Sequence, residues 1–262
     1  MTSEPETVTE PEPQTVTESE PETVTEPDAV TDKKKRIIIA LPGNTFTKNF
    51  LMCWTRTLDA LWKKNYEVVV LSRYSSFVSF SRMQTLGLDV RRGPDQKPFN
   101  GELEYDVWLT IDSDIVFTPE DIIEIIENTE IHPVVSGLYM MQDNKHFPCI
   151  TEWDEAYFKE NGTFKFITQE DVDNYKKETE QKFMEVVYNG MGLFACKYGV
   201  LESMKYPYFD REIQEIKDEN GKVIMRDMCS EDVAFCKNIK DAGHTVYVNC
   251  DIRVGHEKSF VI

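Results

Sequence analysis

Four short apolar runs alternate with segments of helical spacing between residues 36 and 140, and this alternation narrows the fold more than any other feature. "RIIIAL" (36–41) is β-branched and ends at Pro42-Gly43, as a buried strand leading into a loop does. "NFLMCWTRTLDALWKK" (49–64) puts Leu51, Trp54, Leu58, Leu61 and Trp62 at helical spacing. "YEVVVLS" (66–72) predicts a second strand, and "FVSFSRMQTLG" (77–87) a short helix closed by Gly87. "DVWLTID" (106–112) predicts a third strand. "TPEDIIEIIEN" (118–128) predicts a helix with Thr118 as N-cap, Pro119 at the first helical position and acids in the first turn. "PVVSGLYM" (133–140) completes the series as a fourth strand. Strands and helices in strict alternation predict an α/β fold, a central, mostly parallel mixed sheet with helices on its faces.

Beyond residue 141 the pattern loosens. Residues 143–185 hold "ITEWDEAYF", an Asn-Gly turn and the polar, helix-like "QEDVDNYKKETEQK". A strand "FMEVVYNG", helices "KYGVLESM" and "SEDVAFCKNIKDAG", and strands "TVYVN" and "IRVGH" follow. We read a nucleotide-binding half (35–141) and a second half (142–262) built around one sheet as a single domain.

The first 32 residues cannot join that core. They repeat "TVTEPEPQ", "TVTESEPE", "TVTEPDAV", with eight Glu, two Asp and no Lys or Arg. So little apolar surface cannot offset the entropy of ordering, and residues 1–34 are expected to be a disordered acidic tail. The chain carries −18 and the tail −10, which leaves −8 on residues 33–262. That is an acidic globular domain and not a nucleic-acid binder. No apolar run reaches the length of about 18 residues that a membrane span needs. The acidic start lacks an apolar leader core, and the six cysteines form no Cys-x-x-Cys pair, so reduced core thiols in the cytoplasm are expected.

The third strand ends on Asp112-Ser113-Asp114. Side chains alternate along a strand, so Asp112 and Asp114 point the same way if the strand continues through Ser113. Ligands of α/β sheets sit beyond the carboxyl ends of the strands. Two carboxylates there repel unless a cation compensates them, and a hard divalent ion does so. The alternative is a strand-to-helix turn that uses Asp as a turn former. His256 follows Gly255 at the end of the last apolar run, and an added imidazole favours Mn²⁺ over Mg²⁺. Glu231 and Asp232 open a helix capped by Ser230. They either compensate the helix dipole or face the cleft, where one of them takes a proton from an acceptor hydroxyl.

"IIIALPG", "SFSRMQTLG", "TIDSDIVF", "NGMGLFACKYGVLESM", "SEDVAFCKNIKDAG" and the late "VGH", in that order, resemble the GT-A (Rossmann-like) glycosyltransferases of the family-2 type, including small soluble ones encoded by viruses and phages. The resemblance covers about residues 35–262. It implies that Asp114 is the principal ligand of Mn²⁺ (or Mg²⁺), that Asp112 contacts the ribose or a metal-bound water, and that His256 completes the metal site. It implies that Arg82 touches the nucleotide or its diphosphate, and that Pro42, Ser72, Arg73 and Ser113 line the nucleotide. Gly190 and Gly192 look like the point where backbone approaches the donor sugar, with a plain turn as the alternative. Trp153 offers a flat face to a sugar or serves as a core or lid residue. Asp232 looks like the general base, with Glu231 orienting the acceptor. Met83 departs from the family, where Asn often follows the Arg.

The activity so implied moves a sugar from a UDP- or GDP-linked donor to a hydroxyl of a glycan or glycoconjugate acceptor, with inversion favoured. A protein of this kind would work in the cytoplasm, the host's if virus-encoded. A nucleotidyltransferase that makes a sugar nucleotide is the first rival, although "ALPGNTFTKNF" has a single Gly where such enzymes carry a Gly-rich loop. A non-catalytic nucleotide- or carbohydrate-binding module is the second.

Overall fold

Alternation along the first strand sets the layers. β1 (Arg36–Pro42) sends Ile37 and Ile39 to one face of a sheet and Ile38 and Ala40 to the other, and all four are fully buried. A strand can be apolar on both sides only if helices cover both faces. The computed structural model of the chain describes residues 34–258. The tail expected over residues 1–34 falls, but for its last residue, outside the described residues.

After β1 come α1 (Lys48–Lys63), β2 (Glu67–Arg73), α2 (Val78–Thr85), β3 (Val107–Ile111), the two-residue β4 (Ile115–Val116), α3 (Pro119–Asn128) and β5 (Val134–Tyr139). Then follow β6 (Cys149–Ile150), α4 (Glu155–Asn161), α5 (Gln169–Thr179), β7 (Phe183–Val186), β8 (Tyr188–Asn189), β9 (Leu193–Lys197) and the one-turn α6 (Val200–Ser203). The hairpin β10 (Glu212–Lys217) and β11 (Val223–Cys229), α7 (Glu231–Asp241) and β12 (Val246–His256) complete the described chain. The main sheet runs β2-β1-β3-β9-β5-β12-β4, with β7 also paired to β12. β1–β2, β1–β3 and β5–β12 are parallel, while β9, β4 and β7 pair antiparallel, so the sheet is mixed.

Phe50 and Leu61 of α1, with Ile122, Ile125 and Ile126 of α3, pack beneath Ile37 and Ile39. Met83 of α2, Leu201 of α6 and Phe235 and Ile239 of α7 pack over Ile38 and Trp108. Each such side chain contributes about 1.5–3 kcal/mol by leaving water. Thr118 caps α3 as expected, in a reciprocal capping box with Asp121, and Pro119 occupies the first turn. No helix among the described residues is long and apolar enough to cross a membrane.

Four readings are corrected. β3 stops at Ile111, and residues 112–114 turn, with the Ile115 amide donating to the Asp112 carbonyl at 3.1 Å. Strand alternation therefore does not set the directions of Asp112 and Asp114. "TVYVN" and "IRVGH" are one strand, β12, whose pairing with β5 shifts register between Val248 and Arg253. The helix expected over "KYGVLESM" shrinks to α6, because "LFACK" before it is β9, the buried strand that links β3 to β5. The stretch left unassigned before α7 holds the β10–β11 hairpin.

Candidate active site

The site grows from the turn after β3. The Asp112 amide donates to the Gly192 carbonyl at 3.0 Å, which fixes the turn to the segment before β9. The Asp112 carboxylate accepts from Arg82 Nη2 at 3.0 Å. Arg82 Nε reaches Glu231 at 3.4 Å. Arg82 is 3% exposed, so its guanidinium is a buried bridge between the Asp-Ser-Asp turn and the first turn of α7. Two of its nitrogens thus face carboxylates, while Nη1 is buried without a hydrogen-bond partner. Burial acts to lower the Arg82 pKa, but Asp112, Glu231 and Asp232 outweigh it and hold the group charged. Burial pushes Asp112 upward against the pull of Arg82, and Asp114 and Glu231 add repulsion. One guanidinium does not compensate this many carboxylates.

Asp114 has its own cations. Lys258 Nζ lies 2.7 Å and His256 Nε2 3.1 Å from Asp114 Oδ2. Burial acts to raise Asp114, yet these two partners bring it down to about 2. His256 is raised, chiefly by its bond to Asp114. Its Nδ1 is 2.8 Å from the Met140 carbonyl oxygen, an acceptor, so Nδ1 carries the hydrogen. A metal-binding histidine is held in the same way, one N–H on a backbone carbonyl and the other nitrogen turned to the ion.

Glu231 and Asp232 stand in the first turn of α7, and both carboxylates also make side-chain contacts. Ser230 stands at the N-cap of α7, but its hydroxyl donates to Asp232 rather than capping the backbone, a correction to the expected cap. The Tyr188 hydroxyl donates to Asp232 Oδ2 at 3.3 Å. Burial raises the Asp232 pKa, Ser230 and Arg82 oppose it, and the net direction is up.

Tyr139, at the end of β5, has no signal in the sequence beyond its place at a strand terminus, yet it packs against both His256 and the Gly190–Gly192 segment. Its ring stands edge-on to His256 with centroids 5.0 Å apart. Its phenol is pushed well above the ordinary value, first by burial and then by the charges of Asp112 and Asp232. A Cβ at Gly190 would fall 2.1 Å from the Tyr139 hydroxyl, and one at Gly192 2.6 Å from its ring. Tyr139 thus fills the space that side chains at Gly190 and Gly192 would need. Asn189 anchors the same segment through its Nδ2, which donates to Ser136 Oγ at 2.9 Å and to the Gly137 carbonyl at 3.1 Å. Gly190→Ala is expected to overpack Tyr139 and cost about 1–3 kcal/mol. Thermal unfolding checks this, as a fall of about 2–4 °C per kcal/mol.

Pro42, Ser72, Arg73 and Ser113 come together at the carboxyl ends of β1, β2 and β3. The Gly43 amide donates to the Arg73 carbonyl at 2.9 Å, and Ser113 Oγ lies 3.3 Å from where a Gly43 Cβ would stand. Trp153 lies elsewhere, in an aromatic cluster with Phe158 and Phe164 that reaches Tyr188. The sequence reading missed Lys258, Tyr188 and Tyr139. Lys258 lies just past the final strand, and the two tyrosines sit in apolar runs that read as core.

Among the described residues no three His, Cys, Asp or Glu side chains surround one point closely enough to hold an ion by themselves. Asp114 and His256 supply one carboxylate and one oriented imidazole. That set suits an ion that keeps several waters and takes its remaining oxygens from substrate phosphates.

No protein-family model matches the chain, and no curated protein matches it. Among solved structures it is similar to one titled "Crystal Structure of A197 from STIV", at 18% identity, over 87% of this chain and 96% of that one, with a TM-score of 0.44. So distant a likeness says nothing about activity.

Proposed function

We propose that the chain is a metal-dependent glycosyltransferase of the GT-A type. It moves a sugar from a UDP- or GDP-linked donor to a hydroxyl of a glycan or glycoconjugate, with inversion. The observation that carries the reading is the pairing of Asp114 with a His256 whose Nδ1 is committed to a backbone carbonyl, at the mouth of a sheet, with Glu231, the neighbour of Asp232, joined to that mouth through Arg82.

Asp114 and His256 would hold Mn²⁺ or Mg²⁺, with Asp112 on a bound water or the ribose. When bound, such an ion supplies Lewis-acid neutralisation of charge on the departing diphosphate. Pro42, Ser72, Arg73 and Ser113 seat the nucleoside at the strand ends. Asp232 takes the proton of the acceptor hydroxyl as that oxygen attacks the anomeric carbon, and Ser230 and Tyr188 aim its carboxylate. Glu231 is occupied by Arg82 and holds α7 in place.

Incubation with UDP- and GDP-sugars and Mn²⁺ tests the reading. Slow release of the nucleoside diphosphate supports it, and pyrophosphorolysis, in which labelled pyrophosphate enters a nucleoside triphosphate as the nucleotide sugar is split to sugar 1-phosphate, would replace it with the nucleotidyltransferase. The pH dependence follows from Asp232. A base must be ionised, and burial holds this carboxyl above its ordinary value of about 3.9. The rate is therefore expected to be lost as pH falls and to rise through a midpoint above that value. A rate flat across the carboxylate range would contradict the assignment.

A further inference from the structure

A cavity of about 280 Å³ opens on Tyr188, the residue bonded to the candidate base. Its floor is apolar, formed by Trp153, Phe164, Val187 and Val233. Trp153 and Phe164 stand edge to face at 5.3 Å, and Phe164 packs on Tyr188 at 6.1 Å. Tyr188 lines the cavity, and its hydroxyl is the group that bonds Asp232. The rest of the lining is polar. Glu212 and Gln214 come from β10, and Lys237, Lys240 and Asp241 from α7. Two acids face two cations, and Lys237 is bonded to Glu212, so the wall carries no net charge. An anionic ligand gains nothing there. A ring with one apolar face and a fringe of hydroxyls matches both sides. A wider groove of about 1020 Å³ adjoins it, sharing Trp153, Glu212, Gln214 and Lys237.

The geometry points to an acceptor subsite that takes the terminal neutral hexopyranose of a glycan, its C–H face on Trp153 and Phe164 and its hydroxyls on Glu212 and Gln214, with the rest of the glycan in the wider groove. Its role as an acceptor subsite rests on the transferase reading, through Tyr188, which lines the cavity and bonds Asp232. The β10–β11 hairpin then acts as the specificity wall. A uronic acid is disfavoured, because the wall offers it no surplus cation.

Saturation-transfer NMR on the full chain tests the site with methyl β-glycosides of glucose, galactose, mannose and N-acetylglucosamine, and with methyl β-glucuronide. At least one neutral glycoside is expected to receive saturation at ring C–H protons, and the glucuronide none. Trp153→Ala is expected to weaken that binding at least fivefold. Gln214→Ala, on the half-buried side of the hairpin, is expected to weaken it about threefold without loss of fold, and serves if Trp153→Ala does not fold. Absence of saturation with every neutral glycoside, preference for the glucuronide, or unchanged binding in both variants overturns the proposal. A parallel melt of the wild type with Mn²⁺ and UDP or GDP separates the two readings. If nucleotide binds and the glycosides do not, the subsite falls alone. If the glycosides bind and nucleotide does not, the subsite stands as a carbohydrate site and the transferase falls.

Discussion

Arg82→Ala is expected to lower the unfolding free energy by about 3 kcal/mol and the melting temperature by roughly 6–12 °C. Arg82 is 3% exposed and meets two carboxylates, Asp112 at 3.0 Å and Glu231 at 3.4 Å. Removing one partner of a buried pair costs about 3–5 kcal/mol, because the other charge is left without compensation. Asp112 and Glu231 keep side-chain exposures of 27% and 19%, so water relieves part of that cost and the lower end applies. Arg82→Lys is expected to recover only part of the loss, since one ammonium does not span both carboxylates as the guanidinium fork does. Differential scanning calorimetry of the three proteins checks this. Arg82→Ala melting within a degree of wild type would show that the bridge is not the joint described here.

Asp232→Asn is expected to cut the rate of transfer by about 10²–10⁴-fold while leaving nucleotide affinity within a factor of two. The amide keeps the size of the carboxylate and accepts from one of the Ser230 and Tyr188 hydroxyls while donating to the oxygen of the other, but it takes up no proton. The affinity is spared because the groups placed on the nucleotide and the ion lie on β1, β2, the Asp-Ser-Asp turn and the end of β12, not on α7. Glu231→Gln is a useful contrast. Glu231 is bound to Arg82, so its change is expected to act first on stability. Single-turnover rates beside nucleotide titrations separate the two. A tenfold loss of nucleotide affinity in Asp232→Asn would move that residue from the acceptor to the donor.

The strands and helices up to residue 140 were legible because each carries a period of its own. β1 is apolar on both faces, and Thr118-Pro119 with Asp121 announces α3. β9 was not legible, because four apolar residues after a glycine turn lack the flanks that separate a strand from a helix. The β10–β11 hairpin was not legible either. Its outer face exposes Ile213, Ile224 and Met228 while Glu212 and Gln214 turn to a cavity, the reverse of the usual pattern. In the site, Asp112, Asp114, His256 and Asp232 showed themselves as polar groups at the ends of apolar runs. The Arg82 bridge was hidden, since its partners come from residues 112 and 231 and only the fold brings them together. Tyr139 was hidden for the opposite reason, as an aromatic at the end of an apolar strand reads as core.

The central claim is that Asp114 and His256 share a divalent ion with a nucleotide diphosphate. Thermal unfolding with Mn²⁺ and UDP or GDP tests it most directly. At a ligand concentration about 100 times the dissociation constant, a ligand that binds only the folded state adds about 2.7 kcal/mol. That is expected to raise the wild-type melting temperature by roughly 5–11 °C, with no rise when Mn²⁺ or nucleotide is given alone and none in Asp114→Ala. A rise of equal size in Asp114→Ala, or none in the wild type with either nucleotide, would contradict the account.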